Sequence, residues 1–177
     1  TEPATPIDNA APLTIVIGAD TFAPDVNGAA RFAERLAAGL AGRGHDVHIV
    51  TPSVGHKNHG VFTENIEGAD LTVHRLPAVR FLPHDWLRFV WPWRAKHHAR
   101  KVLDTVKADV VHSQSHIVIG RALTRIAHKR GIPVVATNHV MAENLIDFTV
   151  LPPVLGSKLI DLAWADAKRT FAMSRAV

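Results

Sequence analysis

Four stretches hold the residue types that could do chemistry. They are Gly18-Ala-Asp-Thr-Phe-Ala-Pro-Asp-Val-Asn-Gly28, His112-Ser-Gln-Ser-His116, Asn138-His139-Val-Met-Ala-Glu-Asn144 and the single Ser174. In the first, Asn27-Gly28 stands directly before a helix-forming run. Glycine there lets backbone approach a ligand closely. The helix start offers free N–H groups and a positive dipole end, which suit a phosphate. A plain turn capped by Asn27 fits the same residues. The stretch is neither a G-x-G-x-x-G fingerprint nor a Walker loop. His139 follows a buried apolar run and could donate to a sugar hydroxyl or shape an active site. A hydrogen-bonded structural histidine fits equally. Glu143 could be a general base, a surface charge or a residue of a helix start. His112 and His116 are four apart, which on a helix would pair two imidazoles for a metal. His112 reads as a strand end, so that geometry fails. The H-E-x-x-H signature is absent, and no metal is expected.

The segment Arg80 to Lys101 stands apart in composition. It holds three of the four tryptophans, two phenylalanines and six Lys/Arg residues. Rings mixed with cations suit a membrane interface, where the rings enter the headgroup level and the cations meet anionic lipid. On that reading Arg80, Trp86, Arg88, Trp91, Trp93, Arg94 and Lys96 face the membrane. Packing of the rings on a sheet, with the cations in water, is the plainer account. Single-stranded nucleic acid would also tolerate such interleaving, but no nucleic-acid partner is expected.

Alternating elements must position these residues. Leu13 to Ile17 is a short, β-branched apolar run and reads as a buried first strand. Ala29, Phe32, Ala33, Leu36, Ala37 and Leu40 recur at helical spacing, and Gly44 is a helix stop. Further strands are expected at Asp46–Thr51, Leu71–His74, Asp109–His112 and Pro133–Thr137, and a sixth begins over Thr170–Ser174. Helices are expected over most of Trp86–Lys107, where Pro92 must start or interrupt one, and over Gly120–Arg130 and Val154–Ala167. Gly60–Ile66 could add an edge strand. Strands apolar throughout are buried on both faces, so the architecture is α/β, a doubly wound parallel sheet. In such sheets ligands bind beyond the carboxyl ends of the strands. The four polar stretches all fall on that edge.

Composition bounds the rest. The 177 residues suit one domain, read as a flexible lead-in over residues 1–12 and a globular unit over 13–177. The lead-in lacks the basic start and apolar run of a signal peptide, and no apolar stretch reaches the ~18 residues of a membrane span. Cysteine is absent, which excludes disulfides and thiolate metal sites and fits a reducing compartment. The net charge of +4 suits anionic lipid or phosphate-bearing ligands, or simply a solvated basic surface.

Several motifs together resemble the N-terminal half of glycosyltransferase family 4. Phe22-Ala-Pro-Asp-Val-Asn-Gly-Ala-Ala30 and the helix end Ala41-Gly-Arg-Gly-His-Asp-Val47 are similar to the family's opening loop and G-H-x-V turn. Asp109-Val-Val-His-Ser-Gln-Ser115 resembles its D-V-V-H-x-H strand end, with Gln114 in place of the second histidine. Pro133-Val-Val-Ala-Thr-Asn-His139 resembles its P-V-V-x-T-x-H strand, and Phe171-Ala-Met-Ser-Arg-Ala176 the strand before its last N-domain helix. Order and spacing make the set more specific than any one motif.

The resemblance implies a Rossmann-like domain forming one half of a GT-B fold, from a retaining enzyme similar to actinobacterial mannosyl- and lipid-modifying members. This half binds the acceptor, and a C-terminal Rossmann domain, lacking from this chain, binds the nucleotide-sugar. GDP-mannose or UDP-glucose would be the donor, as substrate rather than cofactor, and no cofactor or metal is implied. Asn27 and Gly28 match the loop beside the donor diphosphate, and His139 matches a histidine that contacts the transferred sugar. Asp25, His112, His116, Glu143 and Asn144 would face the acceptor, a membrane glycolipid or phospholipid by this resemblance. The enzyme would sit in the cytoplasm, peripheral at the inner face of the plasma membrane. These residues alone would have little activity. A stand-alone module binding a sugar or head group without catalysis is the alternative. A dehydrogenase is disfavoured, because the glycine fingerprint is missing.

Overall fold

The computed structural model describes residues 11–55, 57–81, 84–139 and 153–176. Glu143, Asn144, most of the lead-in and the side chain of Trp86 lie outside the described residues.

Five parallel strands and one antiparallel edge strand form the sheet. They are β1 (Thr14–Gly18), β2 (Asp46–Pro52), β3 (Gly60–Ile66), β4 (Ala69–Leu76), β7 (Val110–Ser113) and β8 (Val134–Ala136), in the order β3-β4-β2-β1-β7-β8. A separate hairpin pairs β5 (Val79–Phe81) with β6 (His84–Phe89). The order reverses at β1, whose Ile17 lies between Ile49 of β2 and His112 of β7. The carboxyl ends of β1 and β7 therefore flank the crevice where open α/β sheets bind ligands.

Helices cover both faces. Alternate residues of β1 point opposite ways. Ile15 and Ile17 join the core under α1 (Gly28–Ala41), while Val16 joins the core under α2 (Pro92–Val106) and α3 (Ile119–Lys129). Small residues set how near the helices come. Ala30, Ala33 and Ala37 are the fully buried stripe of α1. At Gly120, the second residue of α3, an added Cβ would lie 2.0 Å from the carbonyl oxygen of Ser115 and 2.4 Å from Ser113 Oγ. The last helix, α4 (Pro153–Phe171), meets α3 through Asp166, which binds Arg121 (2.8 Å) and Arg125 (2.5 Å).

Two expected elements differ. The region before Pro92 is not helical: His84–Phe89 is a strand of the hairpin, and α2 begins at Pro92 itself. Proline has no N–H to give the preceding turn and a φ already set for a first helical residue, so it starts the helix here. The strand expected at Thr170–Ser174 is also absent. Helix α4 continues through Phe171, and among the described residues that follow it only Ala176 bridges β8, at Val135. Ala167 and Thr170, one turn apart, are both buried and so hold the last turn of α4 against the domain, while the Thr170 hydroxyl donates to the Asp166 carbonyl (2.9 Å). The edge strand at Gly60–Ile66 is present and antiparallel.

A polar pair is built into the sheet. His48 Nδ1 and His74 Nε2 are 3.1 Å apart on neighbouring strands, and His48 Nε2 reaches Asp46 at 3.2 Å. Burial, then the charge of His48, lowers the His74 pKa from 6.5 to about 4. The unfolded chain therefore takes up a proton between those values while the folded chain does not. Stability is retained above pH 6.5 and falls as the pH drops towards 4. Discounted for partial exposure, the loss between pH 7.5 and 5 is about 1.5 kcal/mol, a melting-temperature drop of roughly 3–6 °C. Thermal unfolding of His74→Phe at both pH values should show a clearly smaller drop. An unchanged drop would exclude this pair as its source.

Candidate active-site edge

The loop after β1 is held at both ends. Asp20 accepts a short hydrogen bond from Ser115 Oγ and another from the Ile119 N–H (2.9 Å), so it fixes the first turn of α3. Asp25 pairs closely with Arg88 of β6. Between them, Thr21 Oγ1 donates to Asp25 (3.2 Å) and accepts from Asn27 Nδ2 (2.8 Å), while Asn27 Oδ1 caps α1 by accepting from Ala30 N–H (2.9 Å). Asn27 is thus an N-cap, as the turn reading requires. The two readings of the loop are compatible, because no atom comes within 4 Å of a Cβ placed on Gly28. The protein does not need glycine there for its own packing. The start of α1 opens into a hollow of about 510 Å³ bordered by Arg31, Phe32 and Arg35.

The ends of β7 and β8 supply the facing wall. Gln114 follows β7, is 3% exposed, and donates its N–H to the Gly18 carbonyl (2.8 Å). Its Oε1 lies 3.0 Å from His139 Nε2. An amide oxygen only accepts, so the neutral ring carries its proton on Nε2 and presents Nδ1 as an acceptor. Burial lowers the His139 pKa, which keeps the ring neutral. The half-exposed ring of Phe32 packs beside it, with centroids 4.8 Å apart. His112 is tied by Nε2 to Thr137 Oγ1 (2.9 Å), and its pKa is lowered by burial and then by His139. His116 is buried against Phe171 of α4, at 5.4 Å between ring centroids, beside Asn138. Burial is the main cause of its lowered pKa.

Asn27, Gly28, Asp25, His112, His116 and His139 are all brought to this edge. His112 and His116 are not a pair, since each turns to a different neighbour. Among the described residues no three His, Asp or Glu side chains converge as a metal site would require. Sequence reasoning placed Asp20 on this edge within the first loop but gave it no role, and it missed Phe32 and Arg88 as parts of the edge. Arg88 leaves the membrane-facing set, because its guanidinium is turned to Asp25. It borders a hollow of about 240 Å³ with Ser53, Ala78 and Arg80, and its Nε is buried without a partner. Trp91 and Trp93 are exposed, at 41% and 63%, and stack with centroids 4.9 Å apart. Arg80, Arg94 and Lys96 are also exposed.

Residues 26–177 match the sequence family described as Glycosyltransferase Family 4. The chain belongs to that family. The match takes in the α1 start, Gln114 and His139 alike. A curated relative, alpha-monoglucosyldiacylglycerol synthase of Streptococcus pneumoniae (strain ATCC BAA-255 / R6), is 26% identical over 136 residues, which is 77% of this chain and 29% of that protein. The family 4 chain thus spans less than a third of the length of that relative. Among solved structures, sucrose-phosphate synthase from Thermosynechococcus elongatus superposes with a TM-score of 0.60 at 14% identity, over 87% of this chain and 40% of that one. That likeness supports the Rossmann-like, GT-B-type fold of this family 4 domain. Among the described residues, no helix is long and apolar enough to cross a membrane.

Proposed function

We propose that this chain is the acceptor-side half of a retaining glycosyltransferase that moves a hexose from GDP-mannose or UDP-glucose to a glycolipid or phospholipid. The observation that carries the reading is the open α1 start at Gly28 on the same sheet edge as the Gln114-held His139. Departure of a nucleoside diphosphate develops negative charge, and the start of α1, with Arg35 beside the hollow and Arg31 held by Glu34 (2.9 Å), stabilises that charge without a metal or cofactor. His139 Nδ1 accepts a hydroxyl of the transferred sugar. A second domain closing over this edge excludes water and supplies the donor contacts.

The acceptor lies on the other side of the loop, in the hollow bordered by Arg80 and Arg88. Two guanidiniums there suit an acceptor carrying a phosphate. Asp25 sets the angle of Arg88, and acceptor-side roles for His112 and His116, and for Glu143 and Asn144 outside the described residues, follow from the family resemblance alone. Trp91, Trp93, Arg94 and Lys96 meet the inner face of the plasma membrane from the cytoplasm. The synthase name of the streptococcal relative supports a lipid acceptor.

The test is transfer by the full-length protein. Radiolabelled GDP-mannose and UDP-glucose are each offered with vesicles containing diacylglycerol, its monoglucosyl derivative and an anionic phospholipid. One donor should label a lipid product, with the anomeric configuration retained. Label found only in free sugar or a soluble acceptor would sink the lipid reading. Tight head-group binding without any transfer would favour a binding module.

A further inference from the structure

A groove of about 670 Å³ runs between α2 and α3, on the sheet face opposite α1. It shares no residue with the edge that carries His139, Gln114, Asp25 and Arg88. Its floor is apolar, made by Pro92, Val118, Ala122, Ile126 and Met173, and its rim is cationic, made by Lys96, Arg100, Arg121, Arg125, Lys129 and Arg130. Asp166 serves both Arg121 and Arg125, and Asp104 serves Arg130 at 2.7 Å. Lys96, Arg100 and Lys129 have no carboxylate partner among the described residues. Six cations against two carboxylates leave the groove with a local surplus of positive charge.

The arrangement along α2 is directional. Trp93, Lys96 and Arg100 follow one another at three- and four-residue steps, so they share one flank of the helix. Trp93 also borders the groove and stacks on Trp91 at its upper end. A free phosphate would use the rim but has no need of the apolar floor. An amphiphile with an anionic head needs both, and the exposed indoles extend the apolar surface upwards into a bilayer. We propose that the α2–α3 groove seats an anionic phospholipid of the bilayer, separate from the glycosyl acceptor. Lys96 and Arg100 take its phosphate, its glycerol stem lies on the Ala122–Ile126 floor, and Trp91 and Trp93 enter the headgroup layer above it.

This inference rests on the membrane side of the proposed function and is independent of transfer. The experiment therefore uses the full-length protein with vesicles that contain no donor and no sugar lipid. Phosphatidylcholine vesicles are compared with vesicles in which roughly a third of the lipid is phosphatidylglycerol, at low salt. The protein should sediment with the anionic vesicles alone. Lys96→Glu with Arg100→Glu should weaken that binding by about tenfold or more. Lys101→Glu with Arg43→Glu makes the same change of charge away from the groove, and should weaken it by less than about threefold. Circular dichroism of each pair should match the parent, and Trp93→Ala, which leaves the charge alone, should also weaken binding. Equal losses for the two pairs would overturn the groove in favour of a diffuse basic field. Absence of vesicle binding by the parent would overturn it outright. Competition by glycerol 3-phosphate would reassign the groove to a soluble anion.

Discussion

For the proposed transfer by the full-length protein, His139→Ala is expected to lower kcat/KM by about 100-fold, close to 2.7 kcal/mol of transition-state stabilisation. The loss has two sources. One is the acceptor atom Nδ1, whose direction is set by the bond from Nε2 to Gln114 Oε1. The other is the wall that the ring forms with Phe32. Gln114→Ala keeps the ring but frees it to rotate and to change tautomer, so a smaller loss, about tenfold, is expected. Since burial lowers the His139 pKa, the parent enzyme should hold its rate as the pH falls from 8 towards the ordinary imidazole value. Gln114→Glu places a carboxylate beside the ring and should move the acid limb of the profile to higher pH. Steady-state kinetics with the donor varied would decide the matter. A His139→Ala enzyme within threefold of the parent would remove His139 from the reaction.

Gly120→Ala destabilises the domain by about 3 kcal/mol or more, a fall of roughly 6–12 °C in melting temperature. Inside a helix, alanine is ordinarily better than glycine by up to about 1 kcal/mol, so the expected sign is reversed. The reason is the Ser115 carbonyl, which a new methyl group would meet at 2.0 Å. That atom is backbone and cannot turn aside. For α3 to make room, it would have to leave β7 and loosen the Asp20 tie to Ile119. Gly39, in α1, has open space around it, and Gly39→Ala should stabilise by a few tenths to about 1 kcal/mol. Thermal unfolding of the pair tests the packing directly. Two shifts of the same sign would contradict it.

Elements whose pattern is local were legible in the sequence. The apolar run of β1, the helical spacing of α1 and the stop at Gly44 each sit within a few residues of chain. The edge strand at Gly60–Ile66 was only one reading of a segment that could also have been a loop. The hairpin before Pro92 was not legible, because Trp86, Leu87 and Phe89 have apolar rings and chains that suit either period. Thr170–Ser174 resembled a strand by motif, yet the burial of Ala167 and Thr170 on one face keeps the helix going to Phe171. At the site, residue types on the correct edge could be named, but not their partners. Arg88 lies 63 positions from Asp25, and no spacing rule couples them. Gln114 did carry a signal, since it stands where the family pattern has histidine.

The two bonds accepted by Asp20 come from residues 95 and 99 positions further along the chain. Contacts that close such long loops carry a large entropic cost before they return any stability, and they slow folding. Strands β1 to β4 can pair among themselves within the first 76 residues. The clamp on the first loop must wait until β7 has docked on β1 and α3 has begun. On a ribosome, then, the nascent chain holds four of the six strands of its sheet for some time before it has any ligand crevice, and the crevice forms only as β7 and α3 join them.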